Sequence, residues 1–179
     1  MLEGKTVNLK IMEKEDLPLF AEWLNNPEVF GQYNPLLQLS KKEVEKNYDD
    51  RKLEQTEFII EKKDGNKIGY MWHFTNPLPE MLEIGYFLVP RERGKGYCSE
   101  AVKIMVDYLF LSKDNVRIQA HTDVNNVASQ KVLERTGFKK EGIARKSMFM
   151  RGEWRDLFLY SILREEWKEP KILTRTGKK

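Results

Sequence analysis

Between an apolar run, Ile84 to Val89, and a helical run, Cys98 to Leu111, the chain reads Pro90-Arg-Glu-Arg-Gly-Lys-Gly-Tyr97. Gly94 and Gly96 in Arg91-x-x-Gly94-x-Gly96 allow backbone angles closed to other residues. Successive N–H groups can then turn into one concavity, with the positive end of the following helix behind it. Such a concavity suits a pyrophosphate, and Arg91, Arg93 and Lys95 place positive charge around it. Three other readings fit parts of the same stretch. A plain glycine turn before a helix is common, and the Walker loop lacks its Gly-Lys-Ser/Thr spacing here. A dinucleotide fingerprint has Ser99 where the third glycine belongs, with three strand-like runs already before it. The loop alone leaves these open.

Downstream, Val116-Arg-Ile-Gln-Ala-His-Thr122 alternates as a strand does, followed by Asn125-Asn-Val-Ala-Ser129 and a helical run ending at Thr136-Gly-Phe138. Asn125 and Asn126 are residue types favoured as helix N-caps. His73 and His121 lie inside strand patterns, which reads first as a satisfied structural role. Cys98 is the one cysteine, so no internal disulfide forms. Two histidines without neighbouring cysteines offer no zinc spacing, and no metal is expected. Cys98 near a helix start reads as a small packing residue before it reads as a reactive thiol.

In their order and spacing, Arg91-x-x-Gly94-x-Gly96 after a strand, then Asn126-x-x-Ser129, then Gly137-Phe138 resemble the GNAT superfamily of acetyl-coenzyme A dependent N-acetyltransferases. Its ribosomal-protein N-terminal (Rim-type) branch, with spermidine acetyltransferase relatives, is the most similar. Phe149-Met-Arg-Gly-Glu-Trp-Arg-Asp156 followed by Leu157 to Leu163 looks like that branch's closing hairpin, and the resemblance spans Thr6 to about Trp167. It implies an α/β (α+β) fold: a mixed, mostly antiparallel sheet of six to seven strands, flanked by about four helices and splayed between the fourth and fifth strands. It implies direct acetyl transfer from acetyl-CoA, the cosubstrate, to a primary amine, either a protein N-terminal α-amine or a small polycation such as a polyamine.

The same resemblance assigns roles. Backbone groups of Leu88 and Val89 would run along the pantetheine arm, with an N–H near Leu88 as oxyanion donor. The N–H groups from Arg91 to Tyr97 would take the pyrophosphate, and Asn126 the pantetheine. Glu83, at the start of the central strand, would act as a base through water, against a plain ion-pair role. Ser129 would hydrogen-bond the leaving sulfur. The family's general-acid tyrosine is absent, since Leu133 holds its position, and Met148 stands where part of the branch carries a glutamate. Asp156 on the hairpin is a minor candidate for orienting groups or binding a cationic acceptor. A base is needed in proportion to the acceptor: a lysine-like amine costs about 4.6 kcal/mol to neutralise at pH 7, an α-amine about 1.4 kcal/mol. Because Leu133 replaces the acid and the base is unproven, a non-catalytic acyl-CoA-binding regulator is the rival reading.

The elements that position these residues follow from pattern. Val7, Leu9 and Ile11 alternate in a first strand. Glu13 opens a helix to about Leu24 that Asn25-Asn-Pro27 stops, and 28–39 is an irregular, aromatic candidate lid. Ser40-Lys-Lys-Glu43 is a capping box for a helix to about Leu53. Strands at Thr56–Glu61 and Lys67–Thr75 flank an Asp64-Gly65 turn, with Asn76-Pro-Leu-Pro79 before the central strand. With 179 residues, 40% hydrophobic and 33% charged, one domain over 1–167 is expected, followed by a basic, frayed tail over 168–179. No apolar run approaches a bilayer span and the first residues lack a signal peptide's apolar core, so the expectation is a cytoplasmic protein with no membrane partner. Lys171, Arg175, Lys178 and Lys179 contribute +4 to the net charge of +3 and leave the body at −1, which points to no nucleic-acid partner. A homodimer is an open expectation. From Glu13 to Asp64 thirteen acids face eight bases, which fits an acidic acceptor side or merely solvated helix faces.

Overall fold

The computed structural model describes residues 1–51, 55–75 and 81–173. Its strands are β1 (Leu2–Glu3), β2 (Val7–Ile11), β3 (Gln55–Lys62), β4 (Lys67–Thr75), β5 (Met81–Leu88), β6 (Arg117–Asp123), β7 (Lys139–Met150) and β8 (Glu153–Leu163). They form one sheet in the order β1-β2-β3-β4-β5-β6-β8-β7, with β5 and β6 parallel and every other pair antiparallel. The mixed, mostly antiparallel sheet is as expected, with eight strands among the described residues rather than six to seven.

The helices are α1 (Leu17–Asn25), α2 (Pro27–Phe30), α3 (Lys41–Asp49), α4 (Tyr97–Ser112) and α5 (Val127–Arg135). A 3-10 turn at Lys14–Asp16 takes the first residues of the expected first helix. Pro27–Phe30 is a helical turn that starts at the expected stop and runs into the segment expected to be irregular. Asn26 caps it, accepting from the N–H groups of Glu28 and Val29. The Ser40 and Glu43 capping box forms, whereas Leu53 and the Asn76 to Pro79 turn lie outside the described residues.

The core sits between the sheet and α4, whose Ala101, Val102, Ile104, Met105 and Leu109 are fully enclosed. The valine, isoleucine, methionine and leucine among them each contribute about 1.5–3 kcal/mol relative to exposure, and together they fix the loop that opens into α4. At the far end, the buried Asp107 carboxylate accepts from the Trp167 indole and the backbone N–H groups of Lys171, Ile172 and Leu173. The segment just beyond Trp167 is therefore fastened to α4 through Leu173, where a frayed end was expected.

The feature that makes the site is the short pairing of β5 with β6. Only Met81, Leu82 and Glu83 match Arg117, Ile118 and Gln119. Beyond that rung β5 stays with β4 as far as Leu88, and β6 stays with β8 as far as Asp123. Each strand is held by its outer neighbour while the inner ladder ends, so the sheet opens between them, at the two strands expected.

Candidate active site

Two cavities meet in this opening. One, of about 370 Å³, is walled by Phe20, Leu24 and Phe30 on the helix side and by Trp72, Glu83 and His121 on the sheet. The other, of about 590 Å³, runs from Tyr86 and Leu88 past Arg93, Gly94 and Cys98 to Asn126 and Ser129. Phe30, Tyr33, Asn34, Tyr86, Phe87, Asn126 and Ser129 line both, so these residues mark the junction.

Glu83 stands on the last paired rung, where the strands part. One carboxylate oxygen accepts from Gln119 Nε2 at 3.0 Å and the other lies 3.0 Å from His121 Nδ1. Gln119 and His121 are two apart on β6 and share a face, so register brings both to one carboxylate. The hydrogen bond to Glu83 holds the His121 imidazolium above the ordinary histidine range, against the opposing effect of burial. His121 was expected to be structural; it faces the cavity instead. The missing information was the β5–β6 register, which neither strand reveals alone.

The glycine loop has the expected shape. Gly94 and Gly96 take φ of 76° and 89°, in the left-handed region, and α4 begins at Tyr97 with Gly96 as its cap. The first internal bond at this end runs from Glu100 N–H to the Gly96 carbonyl, leaving the N–H groups of Tyr97, Cys98 and Ser99 for a ligand. Nothing lies within 4 Å of a Cβ built on either glycine, so the loop mouth is open and the requirement for glycine is conformational. This arrangement fits a diphosphate.

Other members of the expected set are corrected by their partners. Arg93 does not surround the loop: its Nε donates to the Leu88 carbonyl at 2.9 Å. Its Nη2 donates to the carbonyls of Glu28 and Val29 at 3.1 and 2.8 Å. The Val89 N–H is held by Ile68 and its carbonyl by Glu92, so Val89 offers no free backbone group to a pantetheine. Because Val89 points toward β4, the alternation of the ladder turns the Leu88 N–H into the opening, where a donor was expected. Lys95 pairs with Glu92 at 3.0 Å on the surface, and Arg91 is exposed in a 3-10 turn.

At the junction, Asn126 Oδ1 caps α5 by accepting from Ser129 N–H at 3.1 Å, which leaves its amide nitrogen for another partner. Ser129 Oγ lies 3.1 Å from the Tyr86 hydroxyl. Burial raises the Tyr86 phenol well above its ordinary range. Tyr86 had drawn no attention, because a tyrosine in an apolar strand is unremarkable until α5 is placed against it. Leu133, at the family's tyrosine position, is fully enclosed in the core. Burial pushes the Cys98 thiol up to about 12, which fits packing rather than reactivity.

The rim is tied down by side chains. Arg151 donates to the carbonyls of Asn34 and Gly31, and Tyr33 to the carbonyl of Asn125. Asp123 takes Arg155 through both oxygens. Asp156 accepts from the Lys146 N–H and so buttresses the hairpin, while Met148 lines the first cavity. Among the described residues, none of the acids between Glu13 and Asp64 lines that cavity: its wall there is Phe20, Leu24, Phe30, Tyr33 and Asn34. Among the described residues, no three His, Cys, Asp or Glu side chains cluster as a metal site.

Residues 7–139 match the family described as acetyltransferase (GNAT) domain. The chain is 32% identical to the probable N-acetyltransferase YjcK of Bacillus subtilis, covering 91% of this chain and 97% of that protein. It is 24% identical to the spermidine N(1)-acetyltransferase of Vibrio cholerae, over 90% and 95% of the two chains. The crystal structure of a Vibrio cholerae spermidine N-acetyltransferase, in complex with CoA and spermine, superposes with a TM-score of 0.82 at 23% identity. It covers 90% of this chain and 98% of that one. A match over most of the chain, joined to a sheet that opens beside a glycine loop, establishes the lineage: the chain belongs to the GNAT family of acetyl-CoA-dependent N-acetyltransferases.

Proposed function

We propose that this chain acetylates a protein or peptide N-terminal α-amine, with His121, oriented by Glu83, taking the proton. The observation that carries the reading is the Glu83–His121 pair at 3.0 Å on the last rung before the sheet opens, within the cavity walled by aromatic residues. Acetyl-CoA supplies an activated acetyl group when bound. The N–H groups of Gly94 to Ser99 would receive its diphosphate, Asn126 its pantetheine amides, and the Leu88 N–H the carbonyl oxygen as negative charge develops there.

The carboxylate of Glu83 fixes the imidazole so that Nδ1 carries the hydrogen and Nε2 is left to accept a proton. Raising the basicity of His121 strengthens it as a base at near-neutral pH, while Glu83 itself is occupied by Gln119 and His121. Such a base suffices for an α-amine, which loses its proton for about 1.4 kcal/mol at pH 7, better than for an amine near 10.4.

The acceptor class follows from the wall. A polyamine needs carboxylates spaced along its length, whereas Glu83 and Asp123 are the acids lining this cavity among the described residues, and each already has a cationic or hydrogen-bonding partner. Aromatic walls suit an amine carried on an apolar residue. The test is thiol release from acetyl-CoA with peptides of varied first residue, with spermidine and spermine, and without amine. Release with peptides bearing apolar first residues at kcat/KM at least tenfold above the polyamines is expected. Equal or better use of spermidine would contradict the acceptor assignment.

A further inference from the structure

The departing thiolate needs a donor, and Leu133 supplies none. Transfer must take place where the two cavities join, and three hydroxyls line that junction: Tyr33, Tyr86 and Ser129. Tyr33 is bound to the Asn125 carbonyl at 2.9 Å. Thr122, whose hydroxyl has no partner, lines the acceptor cavity alone. Tyr86 and Ser129 remain, and they contact each other at 3.1 Å.

Resting on the acetyltransferase reading, we infer that Tyr86 and Ser129 form a two-hydroxyl relay: Tyr86 donates to Ser129 Oγ, and Ser129 donates to the sulfur of the leaving coenzyme A. The resemblance already gives Ser129 the sulfur in place of the missing tyrosine; the structure adds Tyr86, which brings a second element, β5, to a task otherwise left to α5. Leu133 cannot perform it, because its side chain is fully enclosed in the core. Ser129 is held in place by its own backbone, whose N–H is bound by Asn126. The raised ionisation range of the Tyr86 phenol keeps its proton in place throughout the working pH range, so it always arrives as a donor.

The step balances as follows. The amine nitrogen bonds to the acetyl carbon and gives a proton to His121. The carbon–sulfur bond breaks with its electron pair on sulfur, which accepts the Ser129 hydrogen bond while Ser129 accepts that of Tyr86, and both hydroxyls keep their protons. The proton held by His121 passes through solvent to the sulfur. Amide and free thiol remain. Tyr86 acts through Ser129 and is a positioning residue; Ser129 touches the sulfur.

The direct test is an ultraviolet titration of the coenzyme A thiolate bound to wild type, Tyr86→Phe and Ser129→Ala. Donors to a thiolate lower its pKa, so the bound thiol should ionise about one unit lower in wild type than in either variant. Cys98, raised to about 12, does not titrate in that window. In turnover, each variant should lose about 100-fold in kcat with KM for acetyl-CoA little changed, and the double variant should lose no more than about threefold beyond either single one. Identical thiol titrations in wild type and Tyr86→Phe, or additive losses in the double variant, would overturn the relay. A wild type that binds acetyl-CoA but ignores every amine would count against the proposed function, and the titration would still decide the relay.

Discussion

At the scale of the residue, two histidines in similar strand patterns have opposite fates. His121 lies on β6 against Glu83 and its imidazolium is favoured. His73, on β4, is 1% exposed between the rings of Phe58 and Tyr108, with neither ring nitrogen hydrogen-bonded. Burial first, and the charge of Lys113 second, push His73 down to about 4. Its folded pKa lies below its unfolded value, so the unfolded chain binds the proton first. Stability is therefore intact above pH 6.5 and is lost as pH falls from 6.5 toward 4, by up to about 3 kcal/mol. His73→Phe keeps the aromatic packing and removes this loss. Denaturant unfolding of both proteins at pH 7.5 and pH 4.5 should show a smaller acid decrement in the variant, with carboxylates such as Asp16 and Asp123 contributing equally to both. Parallel decrements would contradict the assignment.

At the scale of the element, Arg93 joins parts that the sequence presents as unrelated. Its guanidinium links the end of β5, where acetyl-CoA would lie, to carbonyls of α2, the helix whose Phe30 walls the acceptor cavity. A charged donor to a carbonyl contributes about 1.5–3 kcal/mol. Arg93→Ala should therefore loosen α2, raising KM for the amine about tenfold while kcat changes less than threefold, as expected when uniform binding is lost. An unchanged acceptor KM would mean that α2 does not shape the acceptor site. The elements themselves were legible: β4, α4 and the capping box of α3 follow from alternation, helical spacing and Ser40 with Glu43. The single turn of α2 was not, because Asn26-Pro27 reads equally as the stop of α1 and the start of another helix.

At the scale of the whole molecule, the opening of the sheet was anticipated through the family resemblance, which local signals carry: an apolar strand, a glycine turn into a helix, and a second strand before Asn126-x-x-Ser129. What brings the opposing sides together was not. The pairing of Glu83 with His121 depends on the β5–β6 register, the contact of Tyr86 with Ser129 on how α5 packs, and the anchoring of Lys171 to Leu173 on a carboxylate more than sixty residues earlier. Each joins residues distant in sequence through a geometry that periodicity does not encode.

The central claim, that His121 oriented by Glu83 takes the proton, is tested most directly by the pH dependence of kcat. In wild type the acid limb should lie above pH 6.5, since Glu83 raises the His121 pKa and activity requires the neutral imidazole. In Glu83→Gln that limb should move down toward the ordinary histidine value of about 6.5, with a lower plateau, and in His121→Gln it should vanish with a loss of about 100-fold. An acid limb that stays in place in both variants would contradict the account.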